Sequence, residues 1–400
     1  MKNNIVFAGI AFLLNSNLSL AQIDNNDIVI GKRKNFYSKT LNEKRELLIY
    51  LPNSYNNNTY KSYPVIYLLD GETLFNSFTG VVDILSSDAS PQIPEMIVVG
   101  INTSQNRLRD ASPTKSLIGY RGIKEVGYEV TGGADNFLKF IETELIPHVD
   151  SSYRTNSYRT FVGYSFTGLP VLHSLFTQKD LFNSYLAIDF SAWWDNQVTL
   201  RNFNSFLESY TSEKPLDIFI STPERVINEV YPTKVNSTWT FMKEFKKNHP
   251  KNINYGFKKY KCKEENHHSM PLISFVDGLK YIFRGHMINY DEMYDSPELI
   301  KLKFDALSKR LGVKISLRED LVNYFGYQFL YTHKNMEKAI FYFKMNVENF
   351  PQSSNAFDSL AEAYKVSGDI TKAIENYQKA LELDANNINS KHMLDELKSK

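Results

Sequence analysis

A strand that passes straight into a helix through a glycine and a serine leaves a chain few folds to choose from, and residues 159–176 have that form. The apolar stretch Arg159-Thr-Phe-Val-Gly163-Tyr164-Ser165 is followed by Phe166-Thr167-Gly168 and then by Leu169-Pro-Val-Leu-His-Ser-Leu-Phe176. This is the pattern of a nucleophile elbow, a sharp turn that lifts a serine hydroxyl above the edge of a sheet. Gly163 suits the turn, because a residue without Cβ lets backbone approach backbone. Thr167 stands where Gly-x-Ser-x-Gly has its second glycine, and Gly168 comes one place later. Ser165 is therefore the candidate nucleophile, against the plainer reading of an ordinary strand-to-helix turn.

The rest of the chain supplies the sheet. Between Asp24 and Phe283, apolar strands alternate with longer helical stretches, the pattern of an α/β fold with a mostly parallel sheet flanked by helices. Strands are expected at Ile28–Ile30, Leu47–Leu51, Tyr63–Leu69, Met96–Ile101, the run into Ser165, Tyr185–Ile188, Leu216–Ile220 and Ile253–Phe257. Asp135 to Ile146 carries apolar residues at helical spacing and stops at Pro147. A length of 400 residues suggests more than one domain.

Lys plus Arg number 46 against 45 Asp plus Glu, which removes any electrostatic case for nucleic acid or an anionic membrane. A small molecule or a protein is the expected partner. Residues 1–21 join a charged start, a short apolar run at Ile5–Leu14 and a small-residue end at Ala21, so they are expected to be a signal peptide, removed on export to the periplasm or beyond. Cys262 is the single cysteine, so no internal disulfide is expected in the exported chain.

A serine hydroxyl needs a base within hydrogen-bond reach. In open α/β sheets the partners lie beyond the carboxyl ends of the strands. Among the eight histidines, only His267 and His268 fall in a loop after the last strand, where the chain order serine, acid, histidine wants the base. Glu224, in the loop past Ile220, is the expected acid, with Asp189 and Asp195 as alternatives and a Ser-His dyad also open. The developing oxyanion requires two backbone N–H groups. One follows the nucleophile, at Phe166, and the other is expected at Gly71 or Glu72, where Asp70-Gly71-Glu72 breaks the third strand.

Taken together, these residues resemble the esterase branch of the α/β-hydrolases that includes enterobactin-type siderophore esterases. The resemblance rests on Tyr67-Leu-Leu-Asp-Gly71, Val98-Val-Gly-Ile101, Arg107-Leu-Arg-Asp-Ala-Ser-Pro-Thr114, Asp135-Asn-Phe137 with Glu144, and Tyr153-Arg-Thr155. It continues through Gly163–Gly168, Ser191-Ala-Trp-Trp-Asp-Asn196 and His267-His-Ser269. It implies an α/β-hydrolase fold, Ser165 as nucleophile and His267, rather than His268, as base. Arg107 and Arg109 are candidates for binding an anionic acyl or catecholate group, or for pinning their loop through Asp110. Trp193 and Trp194 are candidates for the wall of an aromatic substrate site, or for packing.

Beyond about Asp320 the strand signal ends. Ala339 and Ala373 are 34 residues apart, as are Phe343 and Tyr377, and Leu330 and Tyr364. That period predicts two tetratricopeptide repeats and a capping helix at 320–400, joined through a helical connector at 286–319 to an α/β body at 22–285. Repeats this few are expected to pack on the body, as cover or as a groove for a protein partner. The expected protein is an exported serine esterase that needs no metal or organic cofactor. The alternatives are an acyltransferase on the same fold, or a non-catalytic scaffold that recruits partners through its repeats.

Overall fold

The computed structural model describes residues 28–399 except 57, 88–89, 225–236 and 262. The expected signal peptide at 1–21 and Cys262 lie outside the described residues. The first strand is not the expected Ile28–Ile30 but β1 (Lys32–Ser38), an exposed strand whose charged residues hid it from an apolar-run search. β1 pairs antiparallel with β2 (Glu43–Tyr50). The remaining strands are β3 (Tyr63–Leu69), β4 (Ile97–Ile101), β5 (Thr155–Tyr164), β6 (Ser184–Ile188), β7 (Leu216–Pro223) and β8 (Ile253–Tyr260). The sheet runs β1-β2-β4-β3-β5-β6-β7-β8, parallel from β4 onward, with β5 in the middle of the parallel part.

Both faces are covered, so the central strands read as unbroken apolar runs. Their side chains still alternate. Val65, Tyr67 and Leu69 of β3 enter one core with Phe161 of β5, while Ile66 and Leu68 enter the other with Tyr158 and Val162. The first core is closed by α3 (Ala134–Phe140), which runs on through a widened turn into α4 (Ile146–Ser152), and by α5 (Gly168–Thr177), α6 (Trp194–Ser209) and α7 (Ser237–Asn248). The second is closed by α1 (Gly71–Ser86) and α8 (Met270–Ile282). A short α2 (Arg107–Ala111) lies in the loop after β4.

Beyond α8 the chain is helical: α9 (Tyr290–Asp295), α10 (Pro297–Leu311), α11 (Glu319–Tyr327), α12 (Met336–Asn349), α13 (Ser354–Ser367), α14 (Ile370–Leu383) and α15 (Ile388–Lys398). Ala339 and Ala373 are fully buried. The side chains of Asn335, Ser353, Asp369 and Asn387 cap α12 to α15 by accepting from Lys338, Ala356, Lys372 and Ser390 backbone N–H groups. Asn335 and Asp369 stand 34 residues apart, as do Ser353 and Asn387, so the caps keep the same period as the alanines. The apolar core shows no break near residue 285. Leu186, Phe219 and Phe275 share one cluster with Phe304, Phe325, Tyr342 and Tyr364. Asp217 of β7 pairs with Arg284 at 2.7 Å and with Arg310 of α10 at 2.5 Å. Among the described residues no helix is long and apolar enough to cross a membrane.

Candidate active site

At the end of β5 the backbone turns over Ser165 with φ +58°, a left-handed conformation unusual for a residue with a side chain. The turn closes only because position 163 is glycine: a Cβ there would overlap the Thr167 carbonyl. Gly168 plays the part of the displaced second glycine, since a Cβ there would lie 2.5 Å from Cβ of Phe190. Ser165 thus stands at the carboxyl edge of the sheet.

His267, in the loop between β8 and α8, places Nδ1 2.6 Å from Oδ2 of Asp189. Asp189 follows β6 directly, also at positive φ, with its carboxylate fully buried. Its second oxygen accepts from the Thr222 hydroxyl at 2.9 Å. The loop of His267 is held from below, where the Tyr164 hydroxyl donates to the His267 carbonyl at 2.7 Å and the two rings lie 4.9 Å apart. Ser165, His267 and Asp189 line one cavity of about 320 Å³ with Tyr120, Trp193, Ser191 and Thr238.

The carboxylate on the imidazole is Asp189, not Glu224. β7 continues three residues past Ile220, pairing with β8 as far as Pro223, and carries Glu224 to the strand edge. There Glu224 is half exposed and meets Lys259 at 3.1 Å. Asp195 is likewise drawn away, to Arg201 at 3.2 Å.

Neither arginine singled out in the sequence is among the cavity's lining residues. Arg107 grips Asp70 through Nε and Nη2, both at 2.9 Å, and Arg109 pairs with Glu43 at 2.6 Å and Asp110 at 2.8 Å. Arg45 also pairs with Asp110, so the loop is pinned by a buried cluster. The two tryptophans divide. Trp193 lines the cavity edge-on to Tyr120 at 5.3 Å, whereas Trp194 is buried beneath the elbow against Phe166 at 5.0 Å.

Phe166 follows Ser165 in the elbow. Gly71 and Glu72 open α1, whose first amides have no acceptor within the helix, and the N–H groups of Thr73 and Leu74 turn back to the Asp70 carbonyl. Tyr120, Ser191, Thr238 and the hydroxyls of Tyr164 and Thr167 were not singled out as site groups by sequence reasoning. Only Thr167 carried a signal, as a departure from the elbow pattern.

A mostly parallel sheet between two helical layers, with this serine turn at its centre, defines an α/β-hydrolase. A family model described as "Putative esterase" matches residues 38–269, more than half of the chain. The chain belongs to that esterase family, and it is a carboxylic ester hydrolase. It is 32% identical over 194 residues to the ferri-bacillibactin esterase BesA of Bacillus subtilis, covering 46% of this chain and 67% of that protein. It is 33% identical over 150 residues to a siderophore triacetylfusarinine C esterase of Aspergillus fumigatus, covering 36% and 50% respectively. A solved IroE-like serine hydrolase from Shewanella oneidensis superposes with TM-score 0.71 at 31% identity, over 80% of this chain and 99% of that one. An uncharacterised protein from Capnocytophaga ochracea shares the fold over 92% of this chain, with TM-score 0.59 at 20% identity.

Proposed function

We propose that the chain is an exported serine esterase that works through Ser165, His267 and Asp189 and an acyl-enzyme intermediate. The observation that carries the reading is the 2.6 Å contact of His267 Nδ1 with buried Asp189, at a cavity that Ser165 also lines. With its proton on Nδ1 directed to Asp189, the imidazole keeps Nε2 as the base. Nε2 takes the Ser165 proton as the hydroxyl oxygen adds to the ester carbonyl, and returns it to the departing alcohol. The carbonyl oxygen, now negative, is received by the N–H of Phe166 and by that of Gly71 or Glu72. Water then adds to the acyl carbon with the same base and releases the acid.

The related siderophore esterases support a siderophore ester as substrate, with aryl and acyl-sugar esters as alternatives, and Trp193 and Tyr120 would flank its acyl part. Export rests on the character of residues 1–21. The 34-residue helical pairs are read as tetratricopeptide repeats whose first duty is to cover the sheet, because the core passes into them without a break.

The test is labelling with a fluorophosphonate, which phosphonylates an activated serine. Wild type should label and turn over p-nitrophenyl esters. Ser165→Ala should lose the label, and kcat should fall on the order of a millionfold. A folded wild type that takes no label would overturn the reading.

A further inference from the structure

Thr167 breaks the elbow motif, and what its side chain touches gives the break a purpose. Its hydroxyl accepts from the Tyr164 backbone N–H at 3.1 Å, and its one proton has two acceptors at 2.8 Å, Oδ2 of Asp70 and the Tyr164 carbonyl, of which the charged carboxylate is the stronger. Asp70 ends β3 in the same left-handed conformation that Ser165 adopts at the end of β5, the strand paired beside it. The Asp70 carboxylate is buried and fully engaged. Besides Thr167 it accepts from the Thr103 hydroxyl and from two nitrogens of Arg107, each at 2.9 Å. Arg107 also reaches the Tyr164 carbonyl at 3.3 Å.

One carboxylate therefore ties together the ends of two strands. Gly71 and Glu72 follow Asp70 directly, while Phe166 immediately precedes Thr167, so beyond the last β3–β5 pair, Leu68 with Val162, the two donors of the proposed oxyanion site flank the ends of this hydrogen bond. No covalent path shorter than the whole span between residues 71 and 166 links them. Gly71 has little freedom to compensate, since a Cβ there would meet the Gly100 backbone at 2.9 Å.

We infer that Thr167 and Asp70, with Arg107, are positioning residues that set the distance between the Phe166 and Gly71/Glu72 amides, so that both reach the oxyanion together. The inference rests on the proposed role of Ser165. Preorganised donors act only when held within a fraction of an ångström, and a misplacement of about 1 Å can cost about a hundredfold in rate. A hydroxyl at position 167 supplies a directional bond to Asp70 that glycine could not.

Thr167→Val keeps the shape and deletes the bond, whereas Thr167→Ser keeps the bond. On p-nitrophenyl butyrate, full-length Thr167→Val is expected to lose about 10- to 100-fold in kcat with KM within about twofold, and Thr167→Ser to recover most of that loss. Phenylboronic acid, whose boron takes the serine oxygen as the hydroxyl proton passes to His267 and becomes a tetrahedral boronate anion with one B–OH oxygen in the oxyanion site, should bind Thr167→Val more weakly by a similar factor. A folded Thr167→Val with wild-type kcat overturns the inference, as does a Thr167→Ser no better than valine. If Thr167→Val does not fold, Arg107→Lys carries the test, because it keeps a cation near Asp70 without the two-pronged grip. A loss of several-fold in kcat at unchanged KM supports the inference, and an unchanged kcat overturns it. Failure of the Ser165 reading shows separately, as a Ser165→Ala variant that still labels and turns over.

Discussion

The carboxyl end of the sheet and the face beneath the C-terminal helices are held by opposite means. At the carboxyl end, Asp70, Ser165 and Asp189 all sit at positive φ without being glycine, each at a cost of about 1 to 3 kcal/mol. A few directional polar bonds keep them there: Thr167 to Asp70, Asp189 to His267, and Tyr164 to the His267 carbonyl. Across α10 to α15 positive φ without glycine is confined, among the described residues, to Lys334, the starts of α12 to α15 are capped by side chains, and the burden falls on a continuous apolar cluster. The first region stores precision in single atoms, whereas the second stores stability in area. Substitutions at the carboxyl end should therefore cost activity ahead of folding, and those in the helices folding ahead of activity.

The sharpest way to break that contrast is at Asp189. Asp189→Asn keeps the shape but leaves the imidazole without its anion, and kcat should drop about ten-thousandfold with little change in melting temperature. Glu224→Gln, whose partner is Lys259 at the strand edge, should stay within about twofold. Equal losses from the two, in the same ester assay, would return the acid role to Glu224.

Why the sequence pointed to Glu224 rather than to Asp189, the carboxylate that meets His267, is itself physical. Glu224 and Asp189 both follow apolar strands, and an apolar run marks where a strand is buried rather than where its pairing stops. β7 stays paired to β8 through Ser221-Thr-Pro223, two hydroxyl residues and a proline that read as loop. The elbow was legible because it is local: strand, glycine, serine and helix are consecutive. The parallel strands were legible for the same reason, as were the C-terminal helices, whose buried alanines and caps recur at 34 residues. Trp193 and Trp194 could not be told apart, since adjacent residues at a kinked helix start diverge by a geometry that no pattern records. Arg107 and Arg109 were visible as cations. That their carboxylates were Asp70 and Glu43 depended on contacts 37 and 66 residues apart in sequence.

The helical side of the contrast is tested at Phe304, which α10 buries in the shared cluster and which meets the His286 ring edge-on at 5.3 Å. Truncating it opens a cavity where sheet body and helices join. Phe304→Ala should cost about 3 to 5 kcal/mol in unfolding free energy, read by urea titration. The protein that remains folded should keep wild-type kcat. A stable Phe304→Ala, or one that unfolds little but loses activity, would mean that the helices act on the site rather than support the sheet.

His286 itself gives the smallest and most selective effect. Its ring is buried, Nδ1–H donates to the Pro91 carbonyl at 3.1 Å, and Nε2 has no hydrogen-bond partner among the described residues. Burial pushes its pKa down to about 4, the Pro91 carbonyl opposes that shift, and the Lys61 charge adds to it. The folded chain thus refuses a proton that the unfolded chain accepts below its ordinary pKa of about 6.5. Between those values the unfolded state binds more protons, so stability falls as pH falls through the window and is independent of this group above it. The full shift corresponds to about 3 kcal/mol. Other groups also destabilise the fold in acid, so the measurement is a difference. His286→Asn keeps a donor for the Pro91 carbonyl and cannot charge. Wild type should be the more stable at pH 7.5, and its advantage should shrink by about 2 kcal/mol by pH 4.5. A constant gap between the two denaturation curves across that range would mean that His286 takes up its proton without leaving its place, and that the junction it occupies is wetter and looser than the apolar cluster around it.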